Sequence, residues 1–242
     1  MGALHGPDKY GRCRRRRDRH GLRLRDESHF RPNDRPVVES TPPAAPRTIR
    51  HPVVIIDDLL TEAEWSALSA RVLASEAQFQ PSATHDARAD YRHSLVMNPP
   101  PELVEPVVRR VRSITPGVLP ELRVQPIDVG IVEAQITASI DGSFFGVHTD
   151  ADRVKVPKRY LTYVYYFNRQ PKGFSGGELR VYDDVLRNNK LARGETFQTI
   201  EPLHNRLVLF WARTMHEVMP VRVASQAFAD ARFTVNGWVN ST

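Results

Sequence analysis

Three residues in this chain could together hold a metal ion and still leave it open to other ligands. His148-Thr149-Asp150 is an H-x-D triplet. In a strand, or its extended exit, residues i and i+2 point to the same side, so one imidazole and one carboxylate can reach the same ion. A third ligand must come from elsewhere. His216 is the candidate: it follows the apolar run Leu207-Val208-Leu209-Phe210-Trp211 and opens the segment His216-Glu217-Val218-Met219-Pro220-Val221. Two His and one carboxylate on one face of an ion leave three positions exchangeable, an arrangement suited to iron(II). The triplet alone recurs by chance, so the surrounding elements carry half the case.

From about residue 127 the chain reads as strands. Ile131 to Thr137 alternates as a half-buried strand does. Leu161 to Phe167, Glu178 to Tyr182, Phe197 to Ile200, Leu207 to Trp211, Val218 to Val221 and Phe233 to Trp238 are further short runs, separated by Gly, Asn, Pro and Asp turns. Many short strands without interleaved helices predict an antiparallel sandwich or barrel. Upstream, Val53 to Ile56 reads as a strand. Thr61 with Glu64 forms a capping box before Trp65, Leu68, Val72 and Leu73 at helical spacing. A second helix is expected at 101–113, through Leu103, Val107, Val108 and Val111. The fold expected is mainly β (α+β): a double-stranded β-helix (jelly roll) core over 127–242, with N-terminal flanking helices as helical support over 57–113.

The H-x-D triplet is followed by an ordered series of blocks. Arg159 to Asn168 comes first, then Ser175-Gly176-Gly177-Glu178-Leu179-Arg180-Val181-Tyr182, then Ile200-Glu201-Pro202. After His216 comes Arg232-Phe233-Thr234-Val235-Asn236-Gly237-Trp238. This series resembles the catalytic domain of the prolyl 4-hydroxylase-like 2-oxoglutarate/iron(II)-dependent dioxygenases. The resemblance covers 127–242 and extends more weakly over 51–126.

That resemblance implies Fe(2+) on His148, Asp150 and His216, with 2-oxoglutarate as cosubstrate, O2 as oxidant and ascorbate as a possible reductant. The distal carboxylate of 2-oxoglutarate needs a charged partner deep in the barrel, and an Arg fork matches it in a bidentate way. Arg232 fits, with the Thr234 hydroxyl on the same face and Tyr166 as the family's donor on the strand after H-x-D. Thr162 and Val164 would share that face. The implied activity is hydroxylation of an unactivated C–H bond in a small molecule, amino-acid derivative or natural product. The presence of Asp150 favours hydroxylation over halogenation, because halogenating relatives lack the carboxylate ligand. A peptidyl (prolyl) hydroxylase of the same chemistry, or a non-catalytic metal-binding jelly-roll module, is the alternative. The chain departs from the family in one respect: His216 and Arg232 lie sixteen residues apart, farther than usual. Arg222 is nearer but opens no good strand, so Arg232 is preferred, with Ala224 to Asp230 as a longer hairpin loop that could shape substrate access.

The charge pattern limits the partners. The first 50 residues carry thirteen Lys plus Arg against six Asp plus Glu, while the whole chain is +6, so residues 51–242 sum to −1. The basic run Arg12 to Arg25 has no apolar periodicity and reads as part of a disordered tail, followed by the Pro-rich linker 40–46. Residues 1–50 are thus a basic tail and 51–242 the domain. Nucleic acid is not an expected partner of that domain; a small-molecule or peptide substrate is. The only cysteine, Cys13, lies in the tail, which removes disulfides and thiolate chemistry from the domain. No apolar run reaches membrane-spanning length, and no apolar segment follows the basic start, so a cytoplasmic location is expected. Arg153, Lys155 and Lys158, on loop 151–158, and the helical region are expected at the cavity mouth. His93 and His204 read as surface histidines, Trp211 and Trp238 as core, and Asp183-Asp184 as a loop pair.

Overall fold

A computed structural model describes residues 47–82, 91–151, 156, 158–187 and 190–242. The N-terminal strands are β1 (Arg47–Ile49), β2 (Val54–Ile56), β3 (Gln80–Pro81), β4 (Arg92–His93) and β5 (Leu95–Met97). Then come β6 (Val129–Ser139), β7 (Phe144–His148), β8 (Arg159–Tyr166), β9 (Ser175–Gly176) and β10 (Leu179–Arg187). The last five are β11 (Lys190–Ile200), β12 (Arg206–Trp211), β13 (His216–Val218), β14 (Val221–Arg222) and β15 (Arg232–Ser241). Two helices, α1 (Glu62–Leu73) and α2 (Pro101–Val118), flank them.

Among the described residues the strands form two large antiparallel sheets and a small third, β14-β9. One large sheet runs β2-β12-β8-β15-β6-β5-β3, and the other β1-β10-β13-β7-β4 with β11 added to β10. This is the expected jelly roll.

Alternation decides what each face does. Along β8, Leu161, Tyr163 and Tyr165 pack toward the helices, and along β12 Leu207 and Leu209 do the same. Val164 and Tyr166 on β8, with Val208 and Phe210 on β12, turn the other way into the barrel, where they meet Leu179 and Val181 of the second sheet. On β15, Phe233, Val235 and Val239 join the helix-facing core, leaving Arg232, Thr234, Asn236 and Trp238 for the interior. The period of two thus sorts one strand into a packed face and a working face. Truncating Leu209, which is fully buried, to alanine would cost roughly 2–5 kcal/mol.

The helices are fixed by local chemistry. At α1 the capping box forms in both directions, Thr61 N–H donating to Glu64 Oε2 at 2.9 Å and Glu64 N–H to Thr61 Oγ1 at 3.3 Å. Buried residues Leu103, Val107, Val111 and Val118 set the inner face of α2. Arg110 ties the helices together, donating to the Leu59 carbonyl at 2.8 Å and to Glu64 at 3.2 Å.

Several expectations change. The second helix runs on to Val118, past the expected end at 113, because Pro116 sits in its last turns and removes only one N–H there. Met219-Pro220 divides the expected 218–221 strand into the ends of β13 and β14. The sheet takes in Arg47–Ile49, upstream of His51, through pairing with β10. Asp183 and Asp184 are strand residues of β10, not a loop pair. Each carboxylate has a partner: Thr196 Oγ1 donates to Asp183 at 2.7 Å, and His51 Nε2 lies 3.0 Å from Asp184. The helices back the sheet and do not line the cavity mouth. Loop 224–230 does not lie over the cavity either. Its Phe228 packs on Phe79 and Phe233, at 5.2 and 5.1 Å between ring centroids. Residues 1–46, with the basic run and the linker, and Arg153 and Lys155 lie outside the described residues. Among the described residues, no helix is long and apolar enough to cross a membrane.

Candidate active site

His148 ends β7, and His216 begins β13, which pairs with β7 so that the two histidines are directly opposed. Asp150 follows His148 by two residues, and its N–H donates to the Ala212 carbonyl at 2.9 Å. The three candidate ligand atoms lie within 4.8 Å of one another. His216 Nε2 is 3.3 Å, and His148 Nε2 3.7 Å, from Asp150 oxygens.

The ring orientations suit a metal. His148 Nδ1 lies 2.8 Å from the Gly146 carbonyl and His216 Nδ1 2.9 Å from that of Thr214. A carbonyl only accepts, so each ring donates from Nδ1 and leaves the Nε2 lone pair for a cation. Burial, with His216 and Arg92 nearby, pushes the His148 imidazole down to about 3 against the pull of Asp150. It is neutral near pH 7, the state a ligand needs. Burial works against the Asp150 anion, but His216, His148 and the Thr162 hydroxyl outweigh it and hold the carboxyl below its ordinary range. Thr162 Oγ1 donates to Asp150 Oδ2 at 2.8 Å.

The triad opens on a cavity of about 570 Å³. Arg232 and Thr234 line it from β15, and Thr162 and Val164 from β8. Arg232 is only 3% exposed, yet it has no ion-pair partner among the described residues and its Nε lacks a hydrogen bond. Its Nη1 lies 3.5 Å from Ser139 Oγ. The guanidinium stands 4.9 Å from the Tyr166 ring centroid, and the Tyr166 hydroxyl is likewise buried and unpartnered. Burial pushes that hydroxyl's pKa up, while Arg232 draws it back. A buried cation left unpaired is costly, so this end of the cavity is complete only when an anion enters. A dicarboxylate with one end on Arg232 and the other at the triad fits these residues.

Gly177 gives that arginine its space. Its φ is +74°, and a Cβ there would stand 2.6 Å from Arg232 Cδ. The Gly176-Gly177 turn therefore shapes the arginine's bed as well as the backbone.

Tyr165 packs on the outer core and donates to Asn205 Oδ1 at 2.9 Å, so it takes no part in the cavity. His204 packs edge-on against Trp65, 4.5 Å between centroids, and His93 is exposed. Neither lines the cavity. Trp211 is half-buried and also outside it. Trp238, expected in the core, lines the cavity instead, because it shares the β15 face of Arg232, Thr234 and Asn236. Arg159 stacks on it, 3.3 Å from the ring centroid, and pairs with Glu133 at 2.7 Å. Loop 151–158 reaches the cavity through Val156, while Lys158 is exposed and does not line it.

The region 57–113 does reach the cavity, not through its helices but through Tyr91, Arg92 and Ser94 on the β4 side, none of which was singled out from sequence. The strand is too short for a periodic signal. Arg92 with Ser94 two residues later was the only hint.

Residues 134–240 match the 2OG-Fe(II) oxygenase superfamily. The chain is 38% identical over 186 residues to an uncharacterized PKHD-type hydroxylase of Synechocystis sp., covering 76% of this chain and 61% of that relative's length. Among solved structures, it is similar to a prolyl-4-hydroxylase of Pseudomonas putida, with TM-score 0.58, 22% identity, and coverage of 79% of this chain and 94% of the other. It is also similar to a prolyl hydroxylase of Trichoplax adhaerens solved with a hypoxia inducible factor peptide fragment, with TM-score 0.58, 19% identity, and coverage of 79% and 84%. These two show the shared double-stranded β-helix fold. Residues 134–240 are thus similar in sequence to that superfamily, and the chain spans about three fifths of the length of the hydroxylase relative it matches. The superfamily's cofactors are iron(II), 2-oxoglutarate and dioxygen.

Proposed function

We propose that this chain is an iron(II)- and 2-oxoglutarate-dependent hydroxylase acting on an unactivated C–H bond of a small molecule or amino-acid derivative. One observation carries the reading: His148, Asp150 and His216 converge on the same cavity in which Arg232 is buried without a counter-ion. His148, Asp150 and His216 would hold the metal, and Arg232, Thr234 and Tyr166 the distal carboxylate of 2-oxoglutarate. Iron(II) bound there supplies the power to activate dioxygen, so that R–H, O2 and 2-oxoglutarate become R–OH, succinate and carbon dioxide.

The protein's own part is placement and exclusion. Thr162 and the two backbone carbonyls at Gly146 and Thr214 fix the three ligand side chains before metal arrives. Arg232 fixes the cosubstrate by its far end, which leaves its keto-acid end at the triad. Val164, Leu179 and Val218 line the same cavity and limit water around the reacting centre.

A peptidyl prolyl substrate is the second reading, favoured by the Trichoplax relative solved with a peptide fragment. Purified protein given iron(II), ascorbate and 2-oxoglutarate should form succinate, faster when substrate is present. Normal succinate formation by Asp150→Ala would refute the metal assignment.

A further inference from the structure

Arg92 is a cation that neither the metal site nor the cosubstrate site accounts for. It sits on β4, an edge strand paired only with β7, with its Cα opposite Phe145. Its Nε donates to Ser94 Oγ at 3.2 Å, and its guanidinium lies 4.7 Å from the Phe145 ring centroid. Phe145 in turn stacks on His148 at 3.6 Å, so Arg92 reaches the neighbourhood of the triad across one aromatic ring. Its terminal nitrogens make no hydrogen bond, and its charge no ion pair, among the described residues.

The cavity's charges can be counted. Its lining groups that carry charge among the described residues, the metal-ligand histidines aside, are Asp150, Arg92, Arg159 and Arg232. Arg159 is offset by Glu133, at 2.7 Å. Under the reading given above, on which this inference rests, the dication and Arg232 are balanced by Asp150 and the two carboxylates of 2-oxoglutarate. One positive charge is left over, and it is on Arg92. An uncompensated charge in a confined cavity is unfavourable until an anion pairs with it.

We infer that Arg92 anchors the substrate, and that the substrate presents to it a carboxylate or another singly charged oxyanion. With a metal held by His148, Asp150 and His216, the near carboxylate of 2-oxoglutarate would be neutralised there and the far one by Arg232, so neither would require Arg92. The anchor is short of the triad by about one ring, which places the oxidised carbon a few bonds from the anionic group. Arg92 would then select acids over their amides, because an amide leaves the guanidinium unpaired.

The test uses the full chain loaded with cobalt(II) and saturated with 2-oxoglutarate, with trifluoroacetate as the probe anion and trifluoroacetamide as its neutral counterpart. Fluorine NMR relaxation reports the approach of either probe to the paramagnetic ion. Trifluoroacetate should give saturable enhancement and trifluoroacetamide should not. Arg92→Gln should weaken the anion's binding about tenfold, the effect of losing one charge-assisted contact, while Arg92→Lys, which keeps the charge, should retain most of it. Equal binding of both probes, no saturable binding by the wild-type chain, or an unchanged anion in Arg92→Gln would overturn the inference. Binding of 2-oxoglutarate is measured in the same samples. If Arg92→Gln loses the cosubstrate rather than the probe, Arg92 belongs to the cosubstrate site and the inference falls while the proposed activity stands. If the wild-type chain binds no 2-oxoglutarate, both fall.

Discussion

The Thr162 hydroxyl donates to Asp150 Oδ2 at 2.8 Å, and Thr162 is itself buried, at 3% exposure. One strand thus supplies both a wall of the cavity and the restraint on the acidic ligand. Partners of this kind are worth about 10–100-fold in metal affinity. Thr162→Val, which keeps the shape and removes the hydroxyl, should weaken manganese(II) or cobalt(II) binding by that amount in a titration. Thr162→Ser should restore most of it. Equal affinity in wild type and Thr162→Val would show that Asp150 is positioned by the backbone alone.

Arg232 is the second quantity to measure. Its guanidinium is buried beside an unpartnered Tyr166 hydroxyl. Removing one partner of a buried charge pair costs about 2–5 kcal/mol, or on the order of a hundredfold in affinity. Arg232→Ala should raise the 2-oxoglutarate concentration needed for half-maximal succinate formation by about that factor. Arg232→Lys should recover part of the loss, since a lysine keeps the charge without the planar fork. Metal binding without cosubstrate should change little in either variant.

Much of this site was legible because its parts are local. His148 with Asp150, and Arg232 with Thr234, are i and i+2 pairs whose common direction follows from strand geometry. The same rule extends from Arg232 to Trp238, yet Trp238 reads as core, since a large aromatic near a chain end is more often packed than presented. Arg92 was not legible. It lies on a two-residue strand, and only pairing with the distant β7 brings it to the cavity. Asp183 and Asp184 misled in the opposite direction. Acidic pairs are depleted in strands, and nothing nearby in sequence announces Thr196 or His51 as their partners.

Gly177 should tolerate no side chain. At φ +74° an alanine is strained, by about 1–2 kcal/mol, and its Cβ would meet Arg232 Cδ at 2.6 Å and Val221 Cγ2 at 2.9 Å. Gly177→Ala should therefore lower the melting temperature and weaken 2-oxoglutarate binding together. A fall in stability with unchanged cosubstrate affinity would mean that Arg232 adjusts freely, and that Gly177 serves only the turn.

The Arg159–Glu133 pair gives a pH dependence with a defined sign. Glu133 is half-buried; burial raises its pKa, but hydrogen bonds from Arg159 and Asn240 outweigh this and hold it below 4.5. A depressed carboxylate contributes stability that is fully present above its unfolded value and lost as pH falls through the folded one. The pair is therefore intact at neutral pH and dissolves on the acid side of the usual carboxylate range. Arg159 lies 3.3 Å from the Trp238 ring centroid, so tryptophan emission should shift as the pair dissolves. Glu133→Gln should show a shifted emission already at neutral pH and no further acid transition from this source. Trp238→Phe should remove the signal altogether. An acid transition that survives in Glu133→Gln would assign it to another group.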